Sequence, residues 1–364
     1  MKLLFFSSDF QIGLSALLVD EAIAFHQQGI PILCLAGEKE QEEGLKRFME
    51  DNGVPLLIVD GLDEHRNFFV LARRIKQIIE EYAITHIHVQ NNWQLAIIAY
   101  IRFILRIPSK VKVIYTLHGF RHNNLLKSVI ARIMIGTLLW LTADRIICMC
   151  KYLQSVFWPL KYKSVLLPLG ISEEFFETHE LPSIQDNGLQ IIYPAQFRHG
   201  KNQELVIKAF ADYLEQTRDE KTHLWLPGSG ELLNKAKALA SSLSLQNRIS
   251  FPGQCTKKEV VDQYRKCNVA VVASNRETFG QSIVEPWVMG LIVVSRPVGI
   301  APDIISPGQT GFLFKTQAEL TSIWKQIANI PETQKKITGN TNREGSQFSW
   351  QKVVNLYKQR LLND

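Results

Sequence analysis

The residues best suited to chemistry lie in the stretch SNRETFGQSIVEP. Its two carboxylates, Glu277 and Glu285, are separated by seven residues, and Phe279 and Gly280 lie between them. An apolar helix is predicted to begin near Gln281, and the free N–H groups and positive dipole of its first turn suit an anion such as a diphosphate. Gly280 lets the backbone approach that anion closely. Glu285, about one turn into the helix, is placed to accept hydrogen bonds from vicinal sugar hydroxyls, and Glu277 can reach a second sugar.

A second group of candidates is cationic. Arg198 and Lys201 lie in the stretch YPAQFRHGKNQELVIKA, and a departing diphosphate needs positive charge to neutralise it. Gly228 belongs to the sequence PGSGE after a predicted strand, although a Gly-x-Gly pattern alone is typical of any turn. No Asp-x-Asp occurs in the sequence, so a metal-bridged diphosphate is not supported, and neither a metal nor a cofactor is expected.

The N-terminal half supplies two further candidates. His118 follows the apolar run VIYTL and precedes a glycine; the competing interpretation is a core or capping histidine. Gly13 stands alone in the loop after the first predicted strand. His86 and His88 have strand spacing but no third ligand, so we assign them no metal.

These patterns resemble the retaining glycosyltransferases of family 4, which have the GT-B architecture of two Rossmann-like domains. The E-x7-E spacing is that family's signature, and the resemblance implies that Glu277 lies beside the transferred sugar and that Glu285 binds the ribose of the nucleotide. It implies that Arg198 and Lys201 clamp the donor diphosphate, although Ala-Gln stands here where the family usually has Gly-Arg. His118 would contact the donor sugar.

The resemblance covers most of the chain. It places Gly13 in the loop that opens the cleft to diphosphate and acceptor, and it places Gly228, Phe279, Gly280 and Gln281 around the bound nucleotide. The sequence FSW before the last predicted helix is also typical of the family. In such proteins that helix crosses back to the N-terminal domain.

The order of predicted elements agrees with this architecture. Apolar runs alternate with amphipathic segments, which argues for parallel sheets covered by helices on both faces. The alternation restarts near residue 189, after a stretch at 171–187 with the composition of a linker. We therefore predict an α/β protein with two doubly wound domains that face each other across a cleft. The predicted divisions are 1–170 for the acceptor, 171–346 for the donor, and 347–364 for the helix that packs back.

The formal net charge of +6 hides an uneven distribution. Residues 1–99 hold 8 Lys and Arg against 14 Asp and Glu, whereas residues 100–165 hold 11 against a single Asp. A strongly basic band beside an apolar helix suits an anionic membrane surface or an anionic acceptor; the alternative is a solvated face with no partner. The overall charge is too weak to indicate nucleic acid.

Compartment and membrane topology follow from simpler features. Five cysteines in 364 residues indicate a reducing cytoplasm rather than a disulfide scaffold, and Cys148 and Cys150 are predicted to be buried in a strand. The most apolar stretch, LLKSVIARIMIGTLLWL, contains Lys127 and Arg132, which argues against a spanning helix and leaves a buried or interfacial one. The prediction is a cytoplasmic protein held peripherally at the inner face of the plasma membrane.

The predicted function is retaining transfer of a sugar from a nucleotide-diphosphate donor to an acceptor hydroxyl. The basic band suggests a lipid-linked or lipopolysaccharide glycan as acceptor, in bacterial surface polysaccharide synthesis. A front-face route, in which the leaving phosphate oxygen takes the acceptor proton, is what the family resemblance implies. Two alternatives remain open: a sugar-nucleotide epimerase of the same architecture, and a two-lobed carbohydrate-binding protein without turnover.

Overall fold

The chain folds into two compact α/β units. The computed structural model describes residues 2–6, 15–37, 43–62, 67–119, 125–177, 179–330 and 332–362. Unit 1 comprises Met1–Gly170 together with Trp350–Asp364, and unit 2 comprises Ile171–Ser349. The second boundary therefore lies between residues 349 and 350 instead of 346 and 347.

Seven parallel strands form the sheet of unit 1, in the order β3-β2-β1-β4-β5-β6-β7. The strands are β1 Leu3–Phe6, β2 Ile32–Ala36, β3 Leu56–Ile58, β4 His86–Val89, β5 Lys112–Thr116, β6 Arg145–Cys148 and β7 Ser164–Leu166. The helices are α1 Ser15–Gln27, α2 Glu43–Asp51, α3 Phe68–Glu81, α4 Asn92–Tyr100, α5 Leu125–Thr142 and α6 Lys151–Val156. A π-helical turn over Ile101–Leu105 continues α4, and a 3₁₀ turn over Trp158–Lys163 follows α6.

The central strands of this sheet are buried on both faces, as their continuous apolar sequences require. Every residue of β1, LLFF, is buried, and so is every residue of β2, ILCLA. The strand order reverses at β1, which pairs with β2 on one side and β4 on the other. Right-handed crossovers from β3 onward place α3, α4, α5 and α6 on one face of the sheet.

Unit 2 contains six parallel strands in the order β10-β9-β8-β11-β12-β13. The strands are β8 Gln190–Ile192, β9 His223–Pro227, β10 Ile249–Gly253, β11 Val269–Val272, β12 Ile292–Ser295 and β13 Phe312–Leu313. The helices are α7 Ile184–Asn187, α8 Gln203–Thr217, α9 Leu233–Ser242, α10 Lys257–Tyr264, α11 Gln281–Val288, α12 Ala301–Ile304, α13 Gln317–Asn329 and α14 Glu332–Gly345. Two all-parallel sheets of this kind confirm the predicted fold class.

Aromatic side chains fill the core beneath the unit 2 sheet. Trp324 of α13 meets Phe210 and Tyr213 of α8 edge-on, with ring centroids 6.5 and 6.4 Å apart. Trp287 of α11 is fully buried and donates from its indole nitrogen to the carbonyl of Thr310. The Trp287 hydrogen bond holds α11, and with it the segment that carries the two carboxylates.

The last helix, α15 Trp350–Tyr357, continues into a π-helical turn over Lys358–Leu362 and packs in unit 1. Tyr357 is fully buried, and its ring lies 4.6 Å from that of Phe25 on α1. A Cβ at Gly170 would come within 2.2 Å of the Trp350 ring, so this glycine makes room for the returning helix.

The predicted and observed elements differ mainly in polar regions. Helix α14 was not predicted, and neither was α10. The stretch at 171–187, predicted as a linker, contains a 3₁₀ turn over Glu173–Phe176 and the short α7.

Candidate active site

The candidate residues of unit 2 lie at the carboxyl edge of its sheet. The strand order reverses between β8 and β11, and in open α/β sheets this reversal creates a crevice in which ligands bind. The loop after β8 carries Arg198 and Lys201, and the loop after β11 carries Glu277 and Gly280. The switch point therefore brings the predicted cations and the first predicted carboxylate together.

Lys201 and Glu277 form a direct ion pair. The ammonium nitrogen of Lys201 lies 2.5 Å from Glu277 Oε1, and the two side chains are only 17% and 16% exposed. A pair so shielded from water interacts more strongly than a surface pair, but separating it leaves an uncompensated charge. The arrangement gives this edge of the sheet one cation and one anion in hydrogen-bond contact.

Buried polar contacts hold the backbone at Lys201 in place. The hydroxyl of Tyr193 donates to the carbonyl of Lys201 at 2.8 Å and lies 3.0 Å from Ser274 Oγ. Asn202 Nδ2 donates to the carbonyl of Ala273. The loops after β8 and β11 are thus joined by Tyr193, Ser274 and Asn202, whose roles were not predicted from the sequence.

Arg198 lies on the same loop and is half-buried. Its Nε is shielded from solvent and has no hydrogen-bond partner among the side chains and backbone groups of the described residues. A buried guanidinium nitrogen without a partner costs free energy unless a ligand satisfies it. This orphaned donor is what an anion-binding residue presents before its ligand arrives.

Gly228 allows the turn after β9 to contact the loop after β8. Its φ is 142°, and a Cβ there would lie 2.1 Å from the carbonyl oxygen of Ala195. Backbone hydrogen bonds join the two segments, from Ala195 to Pro227 and from Phe197 to Ser229. A side chain at Gly228 would force the segments apart, so this glycine is a structural requirement of the site.

The start of α11 is built as predicted. Gly280 precedes the helix with φ of 97°, and Gln281 is the first helical residue. Phe279 is buried, and its carbonyl accepts from the N–H of Ile300. Gly299 is packed so closely that a Cβ there would lie 2.3 Å from the same carbonyl. The loop after β12 therefore supports the helix N-terminus from the side.

Glu285 lies one turn into α11 and is half-buried. Burial raises the pKa of its carboxyl to about 7, and the positive charge of Lys257 partly opposes this shift. A carboxyl that titrates near neutrality can exchange its proton for hydrogen bonds to a ligand's hydroxyl groups. In the described residues, no group of three His, Cys, Asp or Glu side chains is arranged to hold a metal ion.

His118 is the described candidate in unit 1. It follows β5 and is half-buried, and its Nε2 lies 2.5 Å from Gln90 Oε1. Burial lowers the pKa of its imidazole to about 4, so the ring is neutral at physiological pH. Gly13, the other candidate in this half, lies outside the described residues.

Comparison with known families assigns both halves of the chain. The model for Glycosyltransferase Family 4 matches residues 13–175, and the model for Glycosyl transferases group 1 matches residues 175–343. The chain belongs to the glycosyltransferases with two Rossmann-like domains, the GT-B class. The resemblance drawn from the E-x7-E segment is thereby confirmed at the level of family.

Individual relatives agree with this membership. The chain is 24% identical over 266 residues to alpha-monoglucosyldiacylglycerol synthase of Streptococcus pneumoniae, covering 67% of this chain and 59% of that protein. It is 30% identical over 155 residues to GDP-Man:Man(3)GlcNAc(2)-PP-Dol alpha-1,2-mannosyltransferase of Neurospora crassa, covering 39% of this chain and 28% of that protein. Among solved structures, Anabaena Alr3699/HepE in complex with UDP has the same fold, with a TM-score of 0.81, 19% identity and full coverage of both chains.

Proposed function

We propose that this protein transfers a sugar, with retention at the anomeric carbon, from a nucleotide-diphosphate donor to a hydroxyl of a lipid-linked glycan or lipopolysaccharide acceptor. The observation that carries the proposal is the shielded Lys201–Glu277 pair at the switch point of unit 2. It places a cation for a phosphate and a carboxylate for sugar hydroxyls side by side.

The mechanism follows from the charge that develops as the sugar–diphosphate bond breaks. Electron density flows to the leaving diphosphate, and fixed cations and amides that face it lower the barrier. Arg198, Lys201 and the first N–H groups of α11 supply these, so the reaction needs no metal. As Lys201 turns to the phosphate, Glu277 is released to accept hydrogen bonds from the sugar. Glu285 binds the ribose, and His118 contacts the donor sugar.

Retention follows if the acceptor attacks the face that the diphosphate leaves. The acceptor oxygen forms its bond to the anomeric carbon as the bond to the diphosphate oxygen breaks. The proton of the acceptor hydroxyl passes to that diphosphate oxygen, so charge and atoms balance without a protein nucleophile.

The activity test begins with a donor screen by thermal shift using UDP-, GDP-, ADP- and dTDP-sugars, because a bound ligand raises the unfolding temperature. With the best donor, Lys201→Ala and Glu285→Ala should each lower kcat/KM at least about tenfold. Lys208→Ala removes an exposed lysine of α8 and is the matched control. Activity should survive EDTA, and proton NMR of the product should show the donor's anomeric configuration.

Other outcomes would contradict the proposal. Unchanged kcat/KM in both Ala variants would contradict the assignment of the site. A product with the opposite anomeric configuration to the donor would contradict retention. A new nucleotide sugar formed without acceptor would indicate an epimerase. Absence of nucleoside diphosphate binding by calorimetry would indicate a carbohydrate-binding protein instead.

The acceptor side of the proposal rests on the surface of unit 1. Helices α3, α5 and α6 and the turns that follow α4 and α6 expose large apolar side chains, which include Ile133, Met134 and Trp158 at 64%, 67% and 76%. The single acid of the basic band, Asp144, is paired with Arg102. The surface is therefore apolar and cationic, the combination that binds anionic lipid headgroups. Both named relatives carry a lipid in their names.

We propose that this face holds the protein peripherally at the cytoplasmic side of the plasma membrane. None of the described helices combines the length and apolar character that crossing a bilayer requires. In liposome flotation, the protein should bind vesicles rich in anionic lipid and not neutral ones, and added salt should weaken binding. A double variant, Ile133→Glu with Met134→Glu, should abolish flotation, whereas Phe48→Glu, on the exposed side of α2, should not. Equal binding to both vesicle types, or none, would contradict the proposal.

A further inference from the structure

A buried chain of polar groups lies beneath His118 in unit 1. Glu21 of α1 is buried, and so is Gln90, which follows β4. Gln90 Nε2 donates to Glu21 Oε2 at 3.2 Å, and Gln90 Oε1 lies 2.5 Å from His118 Nε2. A single amide thus connects an acidic side chain on α1 to the histidine after β5, and neither Glu21 nor Gln90 has a role in the family assignment.

The Gln90 amide has its NH₂ group on the side of Glu21 and His88. On its NH₂ side lie Glu21 Oε2 and, 3.4 Å away, His88 Nε2. Burial lowers the pKa of His88 to about 3, so this ring is neutral and one of its nitrogens accepts. Thr116 Oγ1 lies 2.6 Å from His88 Nε2, and Tyr357 OH lies 3.3 Å from His88 Nδ1. The NH₂ group of Gln90 is thus placed toward Glu21 and His88, and its amide oxygen faces His118.

The backbone of Gln90 is held independently. Its N–H donates to Gln94 Oε1 at 2.8 Å, and the N–H of Gln94 donates to Asn91 Oδ1, which caps α4. These bonds hold the backbone from which the Gln90 side chain extends toward His118. Because an amide oxygen only accepts, the His118 nitrogen that meets it must carry the proton.

We infer that Glu21 is a positioning residue that acts through Gln90 to hold His118 with its proton on Nε2, which leaves Nδ1 to accept a hydrogen bond from a hydroxyl of the sugar substrate. This inference rests on the proposed function for the part that concerns substrate. The side chain that contacts sugar is His118; Glu21 and Gln90 determine its tautomer and ring orientation, as the partner of a catalytic histidine does elsewhere.

The identity of residue 21 supports this role. An apolar side chain would be the simple choice at a buried position of α1, because burying a carboxyl costs free energy. Among the described residues, Cys34 of β2, Tyr357 of α15 and Gln90 interact with Glu21, and none of these three is a cation. Burial raises the pKa of Glu21 to about 8, so at pH 7 it is largely the neutral acid. Glutamine has the same shape and still offers an acceptor oxygen to Gln90.

The test compares Glu21→Gln and Glu21→Leu with the wild-type chain. The ¹⁵N shifts of the His118 ring, assigned with a His118→Asn variant, report its tautomer without any substrate. The wild type and Glu21→Gln should show the Nε2-protonated form. Glu21→Leu should show a mixture of the two tautomers, since the Gln90 amide is free to turn. In the transfer assay, Glu21→Leu should lower kcat at least about tenfold with KM nearly unchanged, and Glu21→Gln should stay within about twofold of wild type.

The positioning role of Glu21 and the contact of His118 with substrate can be contradicted by separate results. A wild-type His118 protonated on Nδ1, or a Glu21→Leu protein with the wild-type tautomer, would overturn the positioning role whatever the activity. An altered tautomer with unchanged kcat would support the positioning role and contradict the proposed contact of His118 with substrate. Gln90→Leu breaks the chain of groups at its middle and should give the same mixture, so the inference stays testable if one variant fails to fold.

Discussion

At the scale of single residues, burial sets the protonation states that the proposed chemistry needs. His118 and Glu285 are both half-buried, yet the same desolvation acts on them in opposite directions. It lowers the pKa of the imidazole to about 4 and raises that of the carboxyl to about 7, because in each case the charged form is disfavoured. The histidine is thus fixed as a neutral ring, whereas the glutamate remains sensitive to pH.

The pKa of Glu285 predicts how donor binding depends on pH. Only the carboxylate offers all its lone pairs to the ribose hydroxyls, and with a pKa near 7 that form is the minority at pH 6 and the majority at pH 8. The KM for the nucleotide sugar should therefore fall as pH rises through this window. Steady-state kinetics between pH 6 and 8 measure the change.

Glu285→Gln should have a raised KM that no longer varies over the same range. Glu204→Gln is the matched control, because Glu204 is an exposed glutamate of α8 paired with Lys208 and Lys235. A wild-type KM that is flat from pH 6 to 8, or a Glu285→Gln profile parallel to wild type, would contradict the assignment.

At the scale of elements, the site depends on backbone segments that touch. The turn after β9 reaches the loop after β8 only because Gly228 has no side chain. Gly228→Ala combines a disfavoured φ with a close contact against a backbone oxygen, and should destabilise unit 2 by about 2–4 kcal/mol. Because the loop that moves carries Arg198, nucleoside diphosphate affinity should fall as well.

The control for this prediction is Gly308→Ala. Gly308 also has positive φ, 70°, but an added Cβ there meets nothing within 4 Å. Its replacement should cost about 1 kcal/mol and leave nucleotide binding intact. Thermal unfolding and calorimetric titration with UDP compare the two variants, and equal stability of both would contradict the packing argument.

Buried strands such as β1 and β2 could be predicted from the sequence because each of them is a continuous run of apolar residues. Continuous segments such as LLFF and ILCLA allow few alternatives to a buried strand, and their alternation with helices implied the doubly wound sheets. Helix α14 escaped prediction because its sequence, ETQKKITGNTNREG, is polar, and only Ile337, Thr341 and Gly345 of it are buried. Its position depends on tertiary contacts, such as the hydrogen bond from Thr338 to Gly290, which no local pattern records.

Contacts between distant positions also limit what the sequence can predict about the candidate active site. The spacing of Glu277 and Glu285 allowed a donor site to be predicted, because both residues lie on one short segment. Glu21 and Gln90 are 69 positions apart, and Glu21 alone looks like a solvated helical residue. Their contact arises because β1 and β4 are neighbours in the sheet, so α1 and the end of β4 meet only after the strand order has reversed.

At the scale of the whole molecule, unit 1 is built from two stretches of chain that are separated in sequence by all of unit 2. Unit 1 is complete only when residues 350–364 return to it after all of unit 2 has been traversed. Trp350, Val353, Val354, Tyr357, Leu361 and Leu362 are all buried there. Polar contacts add to this attachment, since Lys358 donates to the carbonyl of Gln28 and Arg360 to that of Leu166.

A chain that ends at residue 349 should therefore lose unit 1 and keep unit 2. Each large apolar side chain contributes about 1.5–3 kcal/mol when buried, and the six together approach the whole stability of a domain. Hydrogen exchange followed by mass spectrometry should show β1, β4 and β5 exchanging rapidly, while β8, β9 and β11 retain their protection. A chain that ends at residue 362 keeps every one of these contacts and is the control. If the strands of unit 1 exchange as slowly without residues 350–364 as with them, α15 is not part of the unit 1 core. Rapid exchange confined to unit 1 would mean that this unit cannot finish folding until residues 350–364 have been synthesised.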